Sequence, residues 1–372
     1  MFEQIQSLPI EKKIGQLFFI GLSGVELNDE SRFLLEEISP GGVCLFTRNI
    51  RNAEQTRTLL DKIRESSVIE PVLSLDQEGG VVDRLRRILT PMPSAALLKT
   101  IEEVTKAAEI TSETIRLLGF NMNFAPVVDI TDEPRRKFSN GLYSRAFGAS
   151  EDETIRLAGA YLETLQANGC LGCIKHFPGL GAATVDSHEE LPFIDVSKQE
   201  LLDKDLLPYR DFIKSGNAHA IMIAHAGFPR VDLQETDSNG KLLPASLSRN
   251  FVTGLLREEL NFGGVAITDD LEMGAIVKNY GVGEACKTAV AAGEDMLAVC
   301  ADADAVRAGF YAVLEAVKKN EISEQRIDES LRRIAHLKSM LSPPLPFSTE
   351  RLDTLSKEIA EFNKSLNYSY GG

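Results

Sequence analysis

Cys173-Ile174-Lys175-His176-Phe177-Pro178-Gly179-Leu180-Gly181 changes character in its middle. An apolar run stops on a cation and an imidazole. Pro178, Gly179 and Gly181 then exclude helix and strand and force a loop. Asp186-Ser187-His188 follows, so the loop carries a carboxylate and an imidazole two residues apart. A buried strand that ends in charge and feeds a glycine-rich loop marks a site. It also decides the fold, because the same kind of run recurs along the chain.

The recurrences are Ile14–Gly21, Gly42–Thr47, Pro71–Asp76, Met122–Asp129, Gly172–His176, Ala220–His225, Gly264–Asp269 and Asp295–Cys300. Each is rich in Val, Ile, Leu or Phe without period-two alternation, the pattern of strands buried on both faces of a parallel sheet. Helical patterns lie between them at Glu54–Glu65, Ile101–Leu118, Asp152–Ala167, Glu200–Lys214 and Ser248–Leu260. Several end at a glycine, the expected residue just past a helix, and Ser248 reads as an N-cap. Eight buried strands alternating with helices predict an α/β protein of the (β/α)8 TIM-barrel type. An open doubly wound sheet is the second architecture. The reading assigns residues 1–342 to one catalytic barrel and 343–372 to a C-terminal helical extension packed on it. Two helices, Ala303–Lys319 and Ser323–Leu341, precede Ser342-Pro343-Pro344-Leu345-Pro346, and Thr349–Leu366 follows it.

Composition narrows the function. A formal net charge of −15 repels phosphate backbones and anionic lipids, so neither nucleic acid nor membrane is an expected partner. The N-terminus lacks the basic and apolar regions of a signal peptide, and no apolar run has the length of a membrane span. The odd set Cys44, Cys170, Cys173, Cys286 and Cys300 suggests a reducing compartment. Cys170-x-x-Cys173 has redox or zinc spacing, but no second pair exists and Cys173 falls in a predicted buried strand, so both read as core.

In a barrel of this type chemistry belongs at the C-terminal strand ends. Those ends read Thr47-Arg48-Asn49, Asp76-Gln77-Glu78, Asp129, Lys175-His176, His225 and Asp269-Asp270. Arg84 follows the Asp76 turn, and Arg145 lies in an aperiodic loop. Asp, Arg, Lys and His around one cavity form a hydrogen-bonding set suited to a polyhydroxylated ligand. Neighbouring side chains on a strand diverge, so Asp269 is expected to face the axis and Asp270 to cap the helix starting at Met273. The Asp186/His188 pair supplies a group that gives and takes protons near neutrality. Three mechanisms suit these parts: a Schiff base on Lys175, a metal held by His176, His188, His225 and Asp269, or glycoside hydrolysis with Asp269 as nucleophile and His188 as acid/base.

The chain resembles family 3 glycoside hydrolases, specifically single-domain β-N-acetylglucosaminidases (β-hexosaminidases) of the cell-wall recycling type. The likeness is carried by Gly41–Asn49, Asp76-Gln77-Glu78-Gly79-Gly80, Asn123–Asp129, Thr268-Asp269-Asp270-Leu271-x-Met273 and, most specifically, Lys175–Gly179 through Asp186-Ser187-His188-x-x-Leu191-Pro192. It implies Asp269 as nucleophile and His188, paired with Asp186, as acid/base. It implies Asp76, Arg84, Arg145, Lys175 and His176 as ligands of an N-acetylglucosamine ring, with no metal or organic cofactor. It implies peptidoglycan-derived fragments as substrate and a cytoplasmic monomer or weak homodimer. Leu180 and Val81 depart from the family pattern, which has His and Arg there. A phosphorylase and an inactive amino-sugar-binding barrel are the alternative functions.

Overall fold

The computed structural model describes residues 1–135, 141–183 and 191–369. Its strands are β1 (Phe18–Ile20), β2 (Gly42–Cys44), β3 (Val72–Leu75), β4 (Met122–Asn123), β5 (Leu171–Phe177), β6 (Ala220–Ile223), β7 (Val265–Thr268) and β8 (Leu297–Val299). They form one parallel eight-stranded sheet in the order β8-β1-β2-β3-β4-β5-β6-β7. An isolated parallel bridge between Ile267 and Met296 brings β7 back to β8. The result is a (β/α)8 TIM barrel.

The first predicted strand is too long at its start. Ile10–Gly15 is a helix, and only Phe18–Ile20 joins the sheet. Ile14 is buried on that helix, so an apolar run conceals a change of period. Inside the barrel the Phe19 ring lies against Gly42 of the next strand, where a Cβ would sit 2.6 Å from the ring. The small residue on β2 makes room for the large one on β1, and Phe19 then meets Phe124 at 5.1 Å between centroids.

The outer helices follow their sequence signals. Ile101–Leu118 starts with a Thr100/Glu103 capping box and ends at Gly119, whose φ is 103°. Glu151–Ala167 is capped by Ser150. Two helices depart in winding: Leu201–Asp205 and Asn250–Glu259 are π-wound. Ser248 is the N-cap expected of it: its hydroxyl takes the Phe251 N–H at 3.4 Å and itself donates to Glu235. Thr349–Ser365 packs on Ile101–Leu118 through buried Leu355, Ile359 and Phe362, each worth about 1.5–3 kcal/mol of burial. Arg351 adds two hydrogen bonds to Glu113, 2.6 and 2.7 Å. All five cysteines are free and buried. No helix of the described residues is long and apolar enough to cross a membrane.

Candidate active site

The C-terminal rim encloses a cavity of about 340 Å³, enough for a ligand of sugar size. Asp76, Glu78, Arg84, Arg145, Lys175, His176, Asp269 and Asp270 line it, with Phe46, Phe124, Met222 and Met273 as apolar wall. Asp76, Arg84, Arg145, Lys175, His176 and Asp269 were all expected at one site, and the structure brings these six together. Asp186 and His188 lie outside the described residues.

The ordered part is a chain of ion pairs. Lys175 Nζ reaches Asp76 Oδ1 and Glu78 Oε1, both at 2.7 Å. Arg145 grips Glu78 with two hydrogen bonds, 2.8 and 3.0 Å. Arg84 reaches Asp76 at 3.3 Å. Its Nε is buried and has no hydrogen-bond partner among the described residues. Burial alone would raise the Glu78 carboxyl, but Arg145 and Lys175 hold it at about 2. Burial opposes ionisation of Asp76 as well, and Lys175 and Arg84 overcome it, leaving that carboxyl well below the usual range. Burial would also lower Lys175, yet Asp76 and Glu78 keep its ammonium above its ordinary value. A protonated, twice-paired amine is a poor nucleophile, which counts against the Schiff-base mechanism.

The turn carrying Asp76 and Glu78 is pinned from β4. Asn123 accepts from the Gln77 N–H at 2.9 Å and donates to the Gln77 carbonyl at 2.9 Å. Gln77 and Gly79 pair with Val82 and Asp83 in a small antiparallel hairpin that the sequence reading had as a simple turn. Gly79 has φ 88°, and a Cβ there would lie 2.2 Å from the Pro93 carbonyl oxygen, so glycine is required.

Lys175 and His176 both face the cavity although strand neighbours usually diverge. The peptide between them is cis, and the β5–β6 register shifts between Ile174 and Phe177. His176 Nδ1 lies 2.7 Å from Asp129 Oδ2 and donates to it, so in the neutral ring Nε2 is left as the acceptor. Asp129 Oδ1 also takes the Leu180 N–H at 2.6 Å, tying the imidazole to the start of the loop. Leu180 lines the cavity, whereas Val81 is an exposed side chain.

Asp269 sits at the tip of β7. Burial pushes its carboxyl up, but His225, His176 and the Asp270 N–H at 2.8 Å bring it below the ordinary value, so it is ionised at neutral pH. His225 donates from Nε2 to the Asp270 carbonyl at 3.1 Å, because a carbonyl only accepts. Asp270 does not cap a helix at Met273. It takes the Glu272 N–H at 3.0 Å and the Cys300 N–H at 3.3 Å, joining β7 to the end of β8. Burial, with the Glu272 and Asp269 charges, pushes the Asp270 carboxyl up to about 7. Glu78 and Asp129 are site residues whose role the sequence reading missed. Both stood in quoted strand ends, but their partners lie on distant strands.

Among the described residues no cluster of three His, Cys, Asp or Glu is arranged to hold a metal ion. A cavity at a barrel's C-terminal face, lined by paired charged side chains and an ionised carboxylate, defines a site for a small polar ligand. The model of the glycosyl hydrolase family 3 N-terminal domain matches residues 9–337, and the chain belongs to that family. A beta-hexosaminidase of Haemophilus influenzae is 35% identical over 311 residues, 81% of this chain and 83% of that protein. One of Psychromonas ingrahamii is 32% identical over 321 residues, 84% of this chain and 90% of that protein. The solved family 3 beta-N-acetylglucosaminidase of Paenibacillus sp. str. FPU-7 is 35% identical with a TM-score of 0.85, covering 96% of this chain and 69% of that one.

Proposed function

We propose that the protein is a retaining exo-β-N-acetylhexosaminidase that removes terminal β-linked N-acetylglucosamine. The observation that carries this is the ionised Asp269 carboxylate facing the ion-paired cavity on a family 3 barrel. Asp269 attacks the anomeric carbon, and the bond to the leaving oxygen breaks as His188 gives that oxygen a proton. The sugar is then esterified to Asp269. Water attacks the same carbon, neutral His188 takes its proton, and the carboxylate is released. Asp186 favours the protonated imidazole in the first step. The assignment of His188 and Asp186 rests on the family resemblance.

Asp76, Arg84, Arg145, Lys175 and His176 bind the sugar ring in this reading. Asp76 accepts from sugar hydroxyls and the Arg84 guanidinium donates to them from the cavity wall. Lys175 and Arg145, oriented by Glu78, act as fixed donors. Peptidoglycan-derived fragments are the proposed substrates, the cytoplasm the proposed location, and 343–372 an extension of a single barrel domain.

The test is Asp269→Asn on an aryl β-N-acetylglucosaminide, with trapping of a 2- or 5-fluoro sugar on the wild type. Loss of turnover and a sugar ester on Asp269 are expected. Normal turnover in the variant, or an ester elsewhere, overturns the reading. Turnover that requires added phosphate would identify a phosphorylase instead.

A further inference from the structure

Asp129 and His176 meet at the ends of adjacent strands. The Val128 N–H donates to the Lys175 carbonyl at 2.8 Å and holds the two strand ends side by side. Asp129 is fully buried, and its two oxygens have different partners. Oδ1 faces backbone: it takes the Leu180 N–H at 2.6 Å and lies 3.5 Å from the His176 nitrogen of the main chain. Oδ2 faces the imidazole and takes the Nδ1 proton at 2.7 Å. A carboxylate accepts, so Nδ1 of the neutral ring carries the proton and Nε2 the lone pair. Asp129 lies behind the ring while His176 lines the cavity, so Nε2 is the nitrogen left to meet a ligand.

His225, a second imidazole of the rim, is set the opposite way. Its Nε2 donates to the Asp270 carbonyl at 3.1 Å, and its Nδ1 therefore accepts from the Ser246 hydroxyl at 2.7 Å. Each ring takes its tautomer from the partner it meets, a carboxylate at one nitrogen or a carbonyl at the other.

We propose that Asp129 is a positioning residue: by keeping the His176 proton on Nδ1 it makes Nε2 an obligate acceptor, so the cavity takes a sugar whose hydroxyl at that point donates and rejects one in which fluorine replaces that hydroxyl. The proposal rests on the hexosaminidase reading for the identity of the ligand and adds how one of its hydroxyls is checked. An acceptor left without a donor when a ligand covers it costs the desolvation of that group, which makes the check a strong filter.

Asp129→Asn is the informative change, because the neighbouring N–H groups dictate how the amide sits. The backbone donors at Oδ1 demand an oxygen there, so the NH2 takes the place of Oδ2 and donates to Nδ1. The ring proton then moves to Nε2, which becomes a donor, while shape and packing stay nearly the same. The first measurement is the nitrogen-15 NMR spectrum of the histidines at about pH 8, above the ordinary imidazole range, with His176 assigned by the signals lost in His176→Gln. In the wild type Nε2 should be unprotonated in His176 and protonated in His225. In Asp129→Asn it should be protonated in both. The second measurement is kcat/KM for aryl β-N-acetylglucosaminides with fluorine in place of the 3-, 4- or 6-hydroxyl, each relative to the parent sugar. Fluorine's inductive effect on the reaction is common to both proteins and cancels between them. At one position the preference for hydroxyl over fluorine should be roughly tenfold smaller in the variant, and at the other two it should be unchanged.

A protonated Nε2 on wild-type His176, or a preference that shifts at no position or equally at all three, overturns the proposal; a purely structural role would lower every rate alike. Should Asp129→Asn fail to fold, the wild type still decides: a proton averaged between Nδ1 and Nε2 of His176 overturns the proposal, and one fixed on Nδ1 sustains it. If the wild type cleaves no β-N-acetylglucosaminide, the hexosaminidase reading fails and the hydroxyl check with it. If it cleaves the parent sugar but the nitrogen signals or the fluorine ratios go against expectation, only the Asp129 proposal fails.

Discussion

The two ends of the barrel bury similar charged groups and leave them in different conditions. At the mouth Asp76, Glu78, Lys175 and Arg145 pair with one another and still face a cavity. At the floor, just before β8, Asp295 is closed in. It takes the Ser330 hydroxyl at 2.7 Å, Arg333 at 3.0 Å, the Ala266 N–H at 3.1 Å and a short contact from Arg257. Arg326 completes the floor by donating to the Glu294 carbonyl at 2.6 Å. The floor network spends its hydrogen bonds on the protein, holding helix Glu324–Ser339 to the barrel. The mouth network keeps capacity for a ligand. Burial and ion pairing alone do not distinguish function from scaffolding; what the remaining lone pairs and N–H groups face does.

Substitutions at the two ends should therefore separate activity from stability. The largest effect is expected from Asp269→Asn, which should cut kcat by roughly a thousandfold or more with little change in melting temperature. Kinetics and calorimetry on one sample check both halves. At the floor, Asp295→Ala should destabilise the fold by about 3–5 kcal/mol, since it strands buried guanidinium groups. Molecules that remain folded should keep a near-normal kcat. A large kcat defect in fully folded Asp295→Ala would break the division between the ends. Glu78→Gln falls between: it removes the charge that orients Arg145 and Lys175, and kcat/KM should drop by roughly ten- to a hundredfold. Its stability should change less than that of Asp295→Ala in urea melts.

The smallest effect sharpens the contrast within the floor itself. Glu294 is fully buried, and neither carboxylate oxygen has a hydrogen-bond partner among the described residues. Burial raises its carboxyl well above the ordinary value of 4.5. The unfolded chain thus loses this proton first, and stability falls as pH rises from the ordinary range towards the folded-state value. Glu294→Gln removes that penalty. It should match the wild type near pH 4 and gain about 1 kcal/mol on it between pH 5 and pH 6, read from denaturant midpoints. A parallel pH dependence of the two proteins would show that Glu294 is solvated in the folded state.

Much of this was legible in the residues. The eight apolar runs and their polar ends placed the barrel and its rim, because buried parallel strands have few other ways to read. Asp76, Lys175, His176 and Asp269 could be named since each ends such a run. Glu78 and Asp129 could not be given roles. Sequence shows that a carboxylate stands at a rim but not which cation, about a hundred residues away for Glu78 and Lys175, will meet it. The same limit misassigned Asp270, whose partner is the Cys300 N–H rather than the next helix. Ile14 failed for another reason: a buried helix end and a buried strand have the same composition.

The seam between β7 and β8 has a consequence for synthesis. Beyond the Ile267–Met296 bridge it is laced by side chains: Thr268 Oγ1 takes the Ala298 N–H at 2.9 Å, and Asp270 takes that of Cys300. Asp269 stands between these two fasteners. A growing polypeptide halted before Ala298 therefore lacks both hydrogen bonds that fasten the residues flanking Asp269 to β8, however complete its other seven strands. Ring closure and the fastening of the segment that carries Asp269 arrive together, after the first seven strands have been made.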